Sequence, residues 1–228
     1  SPLMASIEHN KRNLAAFLIN QKESYNDKEG LEALKLAVDK GEEEIAKKLI
    51  EKKVDINNVV DHLGNTLLHM ASTKGYSPIA KLLVQADFPL DIVNKEGKTP
   101  LECAIKCNKL DTVKFLINQG ADINHFKYNS WLEFHSPLII ALHQRPLNLE
   151  ILDLLLSEEK IYCIPETLST AINCNITLNH IKLIIERMKE KTFVTRDGSN
   201  LLHRVASKGK KEFFNLFLEY GADPRLEN

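Results

Sequence analysis

An all-α solenoid of stacked helix-turn-helix repeats, joined by β-turn or hairpin connections, is the fold class the sequence predicts. Three observations carry it. A short motif returns six times at an average spacing of about 34 residues, clearest as Asp61 to Ala71 and again as Asn94 to Ala104. Each copy holds a small residue at one fixed offset: Ala37, Ala71, Ala104, Ala141, Ala171 and Val205. A second apolar run with helical spacing follows, as in Ile45, Leu49 and Ile50 or Ile79, Leu82 and Leu83. A fixed period of this size means supersecondary repeats, none of which can bury its apolar face without neighbours.

Taken in order, residues 1–3 ahead of Met4 read as a remnant of expression. Residues 4–26 are predicted as an N-terminal capping helix, with Ile7, Leu14, Phe17 and Leu18 on one stripe over the first repeat. Repeats then run over 27–60, 61–93, 94–130, 131–160, 161–194 and 195–228. Four residues after each anchor stands a helix stop: Gly41, Gly75, Asn108, Arg145, Asn175 and Gly209. Glycine and asparagine suit a left-handed cap, and Pro146 forces the stop beside Arg145. Tails such as Gly120-Ala121-Asp122-Ile123-Asn124 are turn-forming. In the last repeat Phe213, Phe214 and Phe217 hold ordinary internal positions and no polar cap follows. The sequence therefore predicts that the chain continues past Asn228 or that another surface covers this end.

These residues resemble the ankyrin repeat family, whose unit is a β-turn and two antiparallel helices. The resemblance covers Asp27 to Asn228. Thr66 to His69, Thr99 to Leu101, Ser136 to Leu138 and Asn200 to His203 match the family's Thr-Pro-Leu-His tetrad fully or partly. The departures fall in the fourth and fifth repeats. Phe134 and Ile164 stand where the turn glycine belongs, and the family tail is missing from Ser157 to Lys160. The resemblance implies an ankyrin-repeat solenoid serving as a non-catalytic protein-protein interaction module.

Bulk properties exclude several classes. Lys plus Arg (30) nearly balances Asp plus Glu (31), so no strong field points to nucleic acid or an anionic membrane. No apolar run approaches the ~18 residues that span a bilayer, and nothing at the start has the shape of a secretion signal. Four cysteines without framework spacing point to a reducing compartment, hence the cytoplasm. High Lys, Asn and Ile usage beside a eukaryotic-style repeat points to an effector that an intracellular bacterium delivers into the host cytosol. A monomer is expected, with a protein, here a host protein, as partner.

The family register places turn tips and first-helix ends on one concave face. In its early part this face is lysine-rich, with Lys74, Lys95, Lys98 and Lys106 as candidate partner-binding residues. In the middle it turns apolar and aromatic. The connection between the third and fourth repeats is longer than the others by four residues and holds Phe126, Tyr128, Trp131, Leu132, Phe134 and His135. His143 and Tyr162 extend this second group. Aromatics on a projecting loop make natural anchors, because they bury much area with few rotatable bonds. The alternative is that Trp131 and Phe134 fold inward to fill the space left by the missing turn glycine.

Catalytic and metal chemistry find no constellation. His69 and His203 occupy the tetrad position, where a histidine of this family hydrogen-bonds within and between turns, and no partner carboxylate or thiol recurs nearby. Cys103 and Cys107 have a helical spacing that suits two metal ligands, yet nothing completes a site, and Cys163 and Cys174 have no base placed for them. No cofactor, metal or catalytic residue is expected. Two other functions stay open: the substrate-recruiting part of a larger enzyme whose catalytic domain lies beyond residue 228, and a self-associating array that meets through the Phe-rich last repeat.

Overall fold

The computed structural model describes residues 1–25, 28–56, 61–130 and 133–225, with the side chains of 127–130 and 133–135 excepted. The chain forms two compact units, Ser1–Asp122 and Ile123–Asn228.

The first unit holds four helix pairs. They are α1 (Pro2–Glu8) with α2 (Arg12–Asn20), α3 (Lys28–Lys40) with α4 (Glu43–Glu51), α5 (Leu67–Lys74) with α6 (Ser77–Gln85), and α7 (Pro100–Lys106) with α8 (Leu110–Asn118). First helices pack in the order α1, α3, α5, α7 and second helices in the order α2, α4, α6, α8, giving two layers with the core between them. The anchors Ala37, Ala71 and Ala104 are fully buried there, because a larger side chain would hold the layers apart. The predicted stops adopt the left-handed conformation at Gly41, Gly75 and Asn108, with φ of 72°, 82° and 55°. Second helices end the same way at Lys53, Asp87 and Gly120.

The N-terminal segment corrects an expectation. In place of one capping helix over 4–26 there are two, separated at Asn10, whose φ is 59°. Helix α1 packs on α3 and α2 on α4, so the pair repeats the packing of its successors. Ser1 to Leu3, set aside as a remnant, take part in it. Ser1 caps α1, Pro2 opens it, and Leu3 is buried. The buried face of α2 is Ala15 and Ile19, while Leu14 and Phe17 are 50% and 60% exposed, because the break at Asn10 resets the helical phase. Arg12 donates to both carboxylate oxygens of Glu42, at 2.7 and 3.1 Å, and ties α2 to the start of α4.

The second unit begins with an antiparallel hairpin, β1 (Lys127–Ser130) and β2 (Glu133–His135), within the long connection. Three pairs follow: α9 (Pro137–His143) with α10 (Leu149–Ser157), α11 (Pro165–Ile172) with α12 (Leu178–Glu186), and α13 (Leu201–Ser207) with α14 (Lys211–Glu219). They too pack in two layers, and Ala141, Ala171 and Val205 are buried between them. Left-handed residues return at Gly198, Gly209 and Gly221; Asn175, predicted to be one, is not. Helix α11 ends instead at Asn173, in right-handed geometry, because Asn173 and Cys174 already bond back to Thr170 and Ala171. In the Phe-rich last pair two of the phenylalanines are buried. Phe217 is fully buried against Phe193, with ring centres 5.1 Å apart, and Phe213 is buried beneath the Lys210 ammonium. Phe214, the third of these residues, is half-buried.

Candidate functional site

In the first unit the site is built on the turns before α5 and α7. The Asp61 carboxylate accepts from the Asn65 backbone N–H (2.9 Å) and side-chain amide (2.7 Å), closing the turn that opens at Gly64. Burial works against the charged Asp61, but these bonds outweigh it and hold its pKa below the ordinary value. Asn94 then donates to Asn65 Oδ1 (2.8 Å) and accepts from Lys98 N–H (3.0 Å), while Lys95 N–H donates to the Leu63 carbonyl (2.9 Å). One turn is thus bonded to the next. Gly64 is required here: its φ is 76°, and a Cβ would lie 3.1 Å from Lys95 N.

His69 locks this ladder to α5. It is fully buried, and Thr66 N–H donates to its Nδ1 at 3.2 Å. The ring proton therefore sits on Nε2 and is donated to the Lys98 carbonyl at 2.9 Å. Burial lowers the His69 pKa from its usual value, the Lys98 carbonyl and Asp61 opposing it only in part. Glu102 does the equivalent work in α7, accepting from Thr99 N–H (2.8 Å) while Thr99 Oγ1 accepts from Glu102 N–H (3.3 Å). His203, expected to act like His69, is exposed instead. The acceptor of His69, the Lys98 carbonyl, belongs to the following turn.

All four candidate lysines of this unit come to the turn tips and first-helix ends. Lys95 Nζ donates to the His62 carbonyl (2.9 Å). Lys74, at the end of α5, pairs with Asp39 of α3 at 3.0 Å. Lys98 pairs with Glu96 and also adjoins Lys106, the last residue of α7. The proximity shows in their acidity. Lys106 is pushed below the usual lysine value, first by its contact with Lys98, then by the charge of Lys98 and by burial. For Lys98, burial opposes the charge, but the Glu96 carboxylate outweighs it and raises the pKa.

The second unit holds the other candidates. Phe126 and Tyr162 meet with ring centres 5.2 Å apart and tilted 37°, and the Lys189 ammonium lies 4.8 Å over Tyr162. Asn124 fixes this contact by donating to the Lys160 carbonyl (2.8 Å) and accepting from Tyr162 N–H (3.1 Å). His143 is exposed at the end of α9. Tyr128, Phe134 and His135 lie on the hairpin strands, and their side chains, like all of Trp131 and Leu132, fall outside the described residues. A pair the sequence reading missed is His180 with Asp153. Thr177 N–H donates to His180 Nδ1 (3.1 Å), and Nε2 meets Asp153 Oδ1 at 2.8 Å, joining α12 to α10. The signal was present, since Thr177-x-x-His180 repeats the spacing of Thr66-x-x-His69.

Among the described residues no group of three or more His, Cys, Asp or Glu is placed to hold a metal ion, and no helix is long and apolar enough to cross a membrane. Burial pushes the Cys103 thiol up to about 11 and the Cys163 thiol up to about 12, so neither is an activated nucleophile.

The family profile described as ankyrin repeats (3 copies) matches residues 1–60 and 54–127, more than half of the chain. The chain belongs to the ankyrin repeat family. That match begins with the α1–α2 pair, in agreement with its repeat-like packing. Among its relatives, the chicken nuclear factor NF-kappa-B p105 subunit is 26% identical over 198 residues, covering 86% of this chain and 17% of that protein. The human transient receptor potential cation channel subfamily A member 1 is 26% identical over 171 residues, 72% of this chain and 15% of that protein. A Coxiella burnetii protein whose name refers to an ankyrin repeat is 43% identical over 63 residues, 28% of this chain and 19% of that protein. The chain thus spans about a sixth of the length of the first two relatives. Ankyrin repeats are generally protein-protein interaction modules, and the relatives are ankyrin-containing proteins.

Proposed function

We propose that this chain is a non-catalytic binding module that holds a partner protein on the turn tips and first-helix ends of its first unit, with the aromatic group of the second unit as a further contact surface. The observation that carries this reading is the placement of Lys98 on a turn ladder held by His69 and Asn94, with Lys74 and Lys106 at the exposed ends of the neighbouring helices α5 and α7. The stack needs the ladder, and the ammonium groups are left outside it to meet a partner. The similarity to the Coxiella burnetii protein supports a bacterial effector acting on a host protein.

The test is capture of proteins from eukaryotic lysate by the whole chain and by its Lys74→Glu/Lys98→Glu/Lys106→Glu form, both checked for folding by circular dichroism. A protein retained by the first and lost by the second is the expected result. Equal retention by both removes this face. Loss on Phe126→Ala/Tyr162→Ala alone would move the interface to the second unit.

A further inference from the structure

Lys98 and Lys106 come together at the end of α7, and each is held there differently. The backbone of Lys98 is fixed by the ladder, its N–H donating to Asn94 Oδ1 (3.0 Å) and its carbonyl accepting from His69 Nε2 (2.9 Å). Its side chain is 21% exposed, and its ammonium is paired with the Glu96 carboxylate. Lys106, the last residue of α7, is exposed, and its nitrogen meets that of Lys98 within hydrogen-bond reach. Cys103 of α7, which bonds to Thr73 of α5, completes the cluster.

An ammonium group has three donors and no lone pair, so two of them cannot bond to each other. The contact is made when one nitrogen has given up its proton and accepts from the other. Glu96 decides which. It is paired with Lys98, so the proton stays on Lys98 and Lys106 becomes the amine. The two acidities run in those directions, Lys98 above the usual lysine value and Lys106 below it. Lys40 and Lys74 hold the same place at the ends of α3 and α5, where the helix dipole favours a charged lysine, and Lys74 has the Asp39 carboxylate at 3.0 Å. The groups acting on the charge of Lys106 are Lys98, Glu96 and Cys103. The elements packed on α7 also bring His69, turned to the Lys98 carbonyl, and Lys109, whose stem runs along Gly75.

An exposed amine that gives up its proton readily is a nucleophile. We infer that Lys106 is a modification site that takes an acyl group from a reactive thioester. The nitrogen attacks the thioester carbonyl, the C–N bond forms, the C–S bond breaks, and the proton released by nitrogen leaves with the thiol. Product charge selects this class of electrophile. An aldehyde would leave a protonated imine and restore two like charges side by side. Carbon dioxide would leave a carbamate anion near Glu96, which already holds Lys98. An amide is neutral, so it ends the repulsion while Lys98 keeps Glu96. This site is independent of which partner the face holds.

The experiment exposes the whole folded chain briefly, near neutral pH, to S-acetyl-N-acetylcysteamine, a simple thioester. Complete acetylation with a deuterated reagent after unfolding then lets mass spectrometry read the light fraction at each lysine. Lys106 is expected to acylate about fivefold faster than Lys40 and Lys74, the gain in unprotonated amine that one like charge at about 4 Å gives in water. The lead should shrink as pH rises toward the usual lysine value of about 10.4, where every amine loses its proton. In Lys98→Gln, which keeps the backbone bonds of position 98, Lys106 should fall back to the rate of Lys40 and Lys74 with an unchanged circular dichroism spectrum. Equal rates at the three lysines in the wild type, a comparison that needs no variant, overturn the site. A lead that survives Lys98→Gln overturns the pair as its cause. Labelling is read without a partner, so failure of the lysate capture and failure of this site are separate results.

Discussion

Replacing His69 by alanine separates the tetrad's structural work from its mere presence in the sequence. The imidazole is fully buried and accepts from Thr66 N–H while donating to the Lys98 carbonyl. Each lost bond costs about 1 kcal/mol net, and a buried group left without a partner costs about 1–3 kcal/mol. Thr66 is buried and the Lys98 carbonyl partly so, which places the total at about 3 kcal/mol. Alanine's better helix propensity offsets about 0.5 kcal/mol of this. His203 stands at the same position of its tetrad but is exposed. Its replacement should change stability by no more than about 0.5 kcal/mol. The assay is urea denaturation followed by far-UV circular dichroism on both variants, with the m-value checked for a shared two-state transition. If the two substitutions cost the same within error, the bond from His69 to the next turn does not hold the stack as described.

His69 also sets a pH dependence. Its folded pKa lies below the unfolded value of about 6.5, so the unfolded chain binds more protons. Its contribution is complete above about pH 6.5 and is lost as pH falls towards the folded value. Midpoints measured from pH 7.5 to 5 should fall in the wild type and fall less in His69→Ala. At Gly120, where φ is 90° and a Cβ would meet nothing within 4 Å, alanine should cost about 1–2 kcal/mol in thermal melts from backbone strain alone. Asparagine there should cost less, because Asn108 already holds that conformation. Of the four thiols, Cys107 is the most exposed and the other three are buried. Labelling with a disulfide reagent should show one fast thiol, lost in Cys107→Ala, and three that react only on unfolding.

The repeat was legible because its anchors answer to one constraint at a time. Ala71 and Ala104 are small because two helix layers close over them, and Gly41 and Gly75 are glycine because the chain turns left-handed there. Neither property depends on distant residues, so both repeat with the period. The N-terminal pair was misread because Asn10 breaks what looks like one amphipathic run, and a left-handed asparagine is a weak signal beside the apolar pattern around it. The candidate site was legible only as a list of positions. Lys74 meets Asp39, and Lys98 meets Lys106, through side chains that cross from one segment to another. Such meetings have no sequence period. His180 was overlooked because its acceptor is the Asp153 side chain on another helix, although its Thr-x-x-His spacing was in view.

Part of what joins one turn to the next in the first unit is main chain. His69 reaches a carbonyl, and Lys95 N–H reaches another, so the identity of the side chains at positions 95 and 98 is immaterial to those bonds. Stability and recognition are thereby written in different atoms of the same residues. A lineage carrying this stack is free to exchange the tip side chains and acquire a new partner while the architecture beneath stays as it was. The same separation makes the tips the place to begin when a different specificity is to be installed by design.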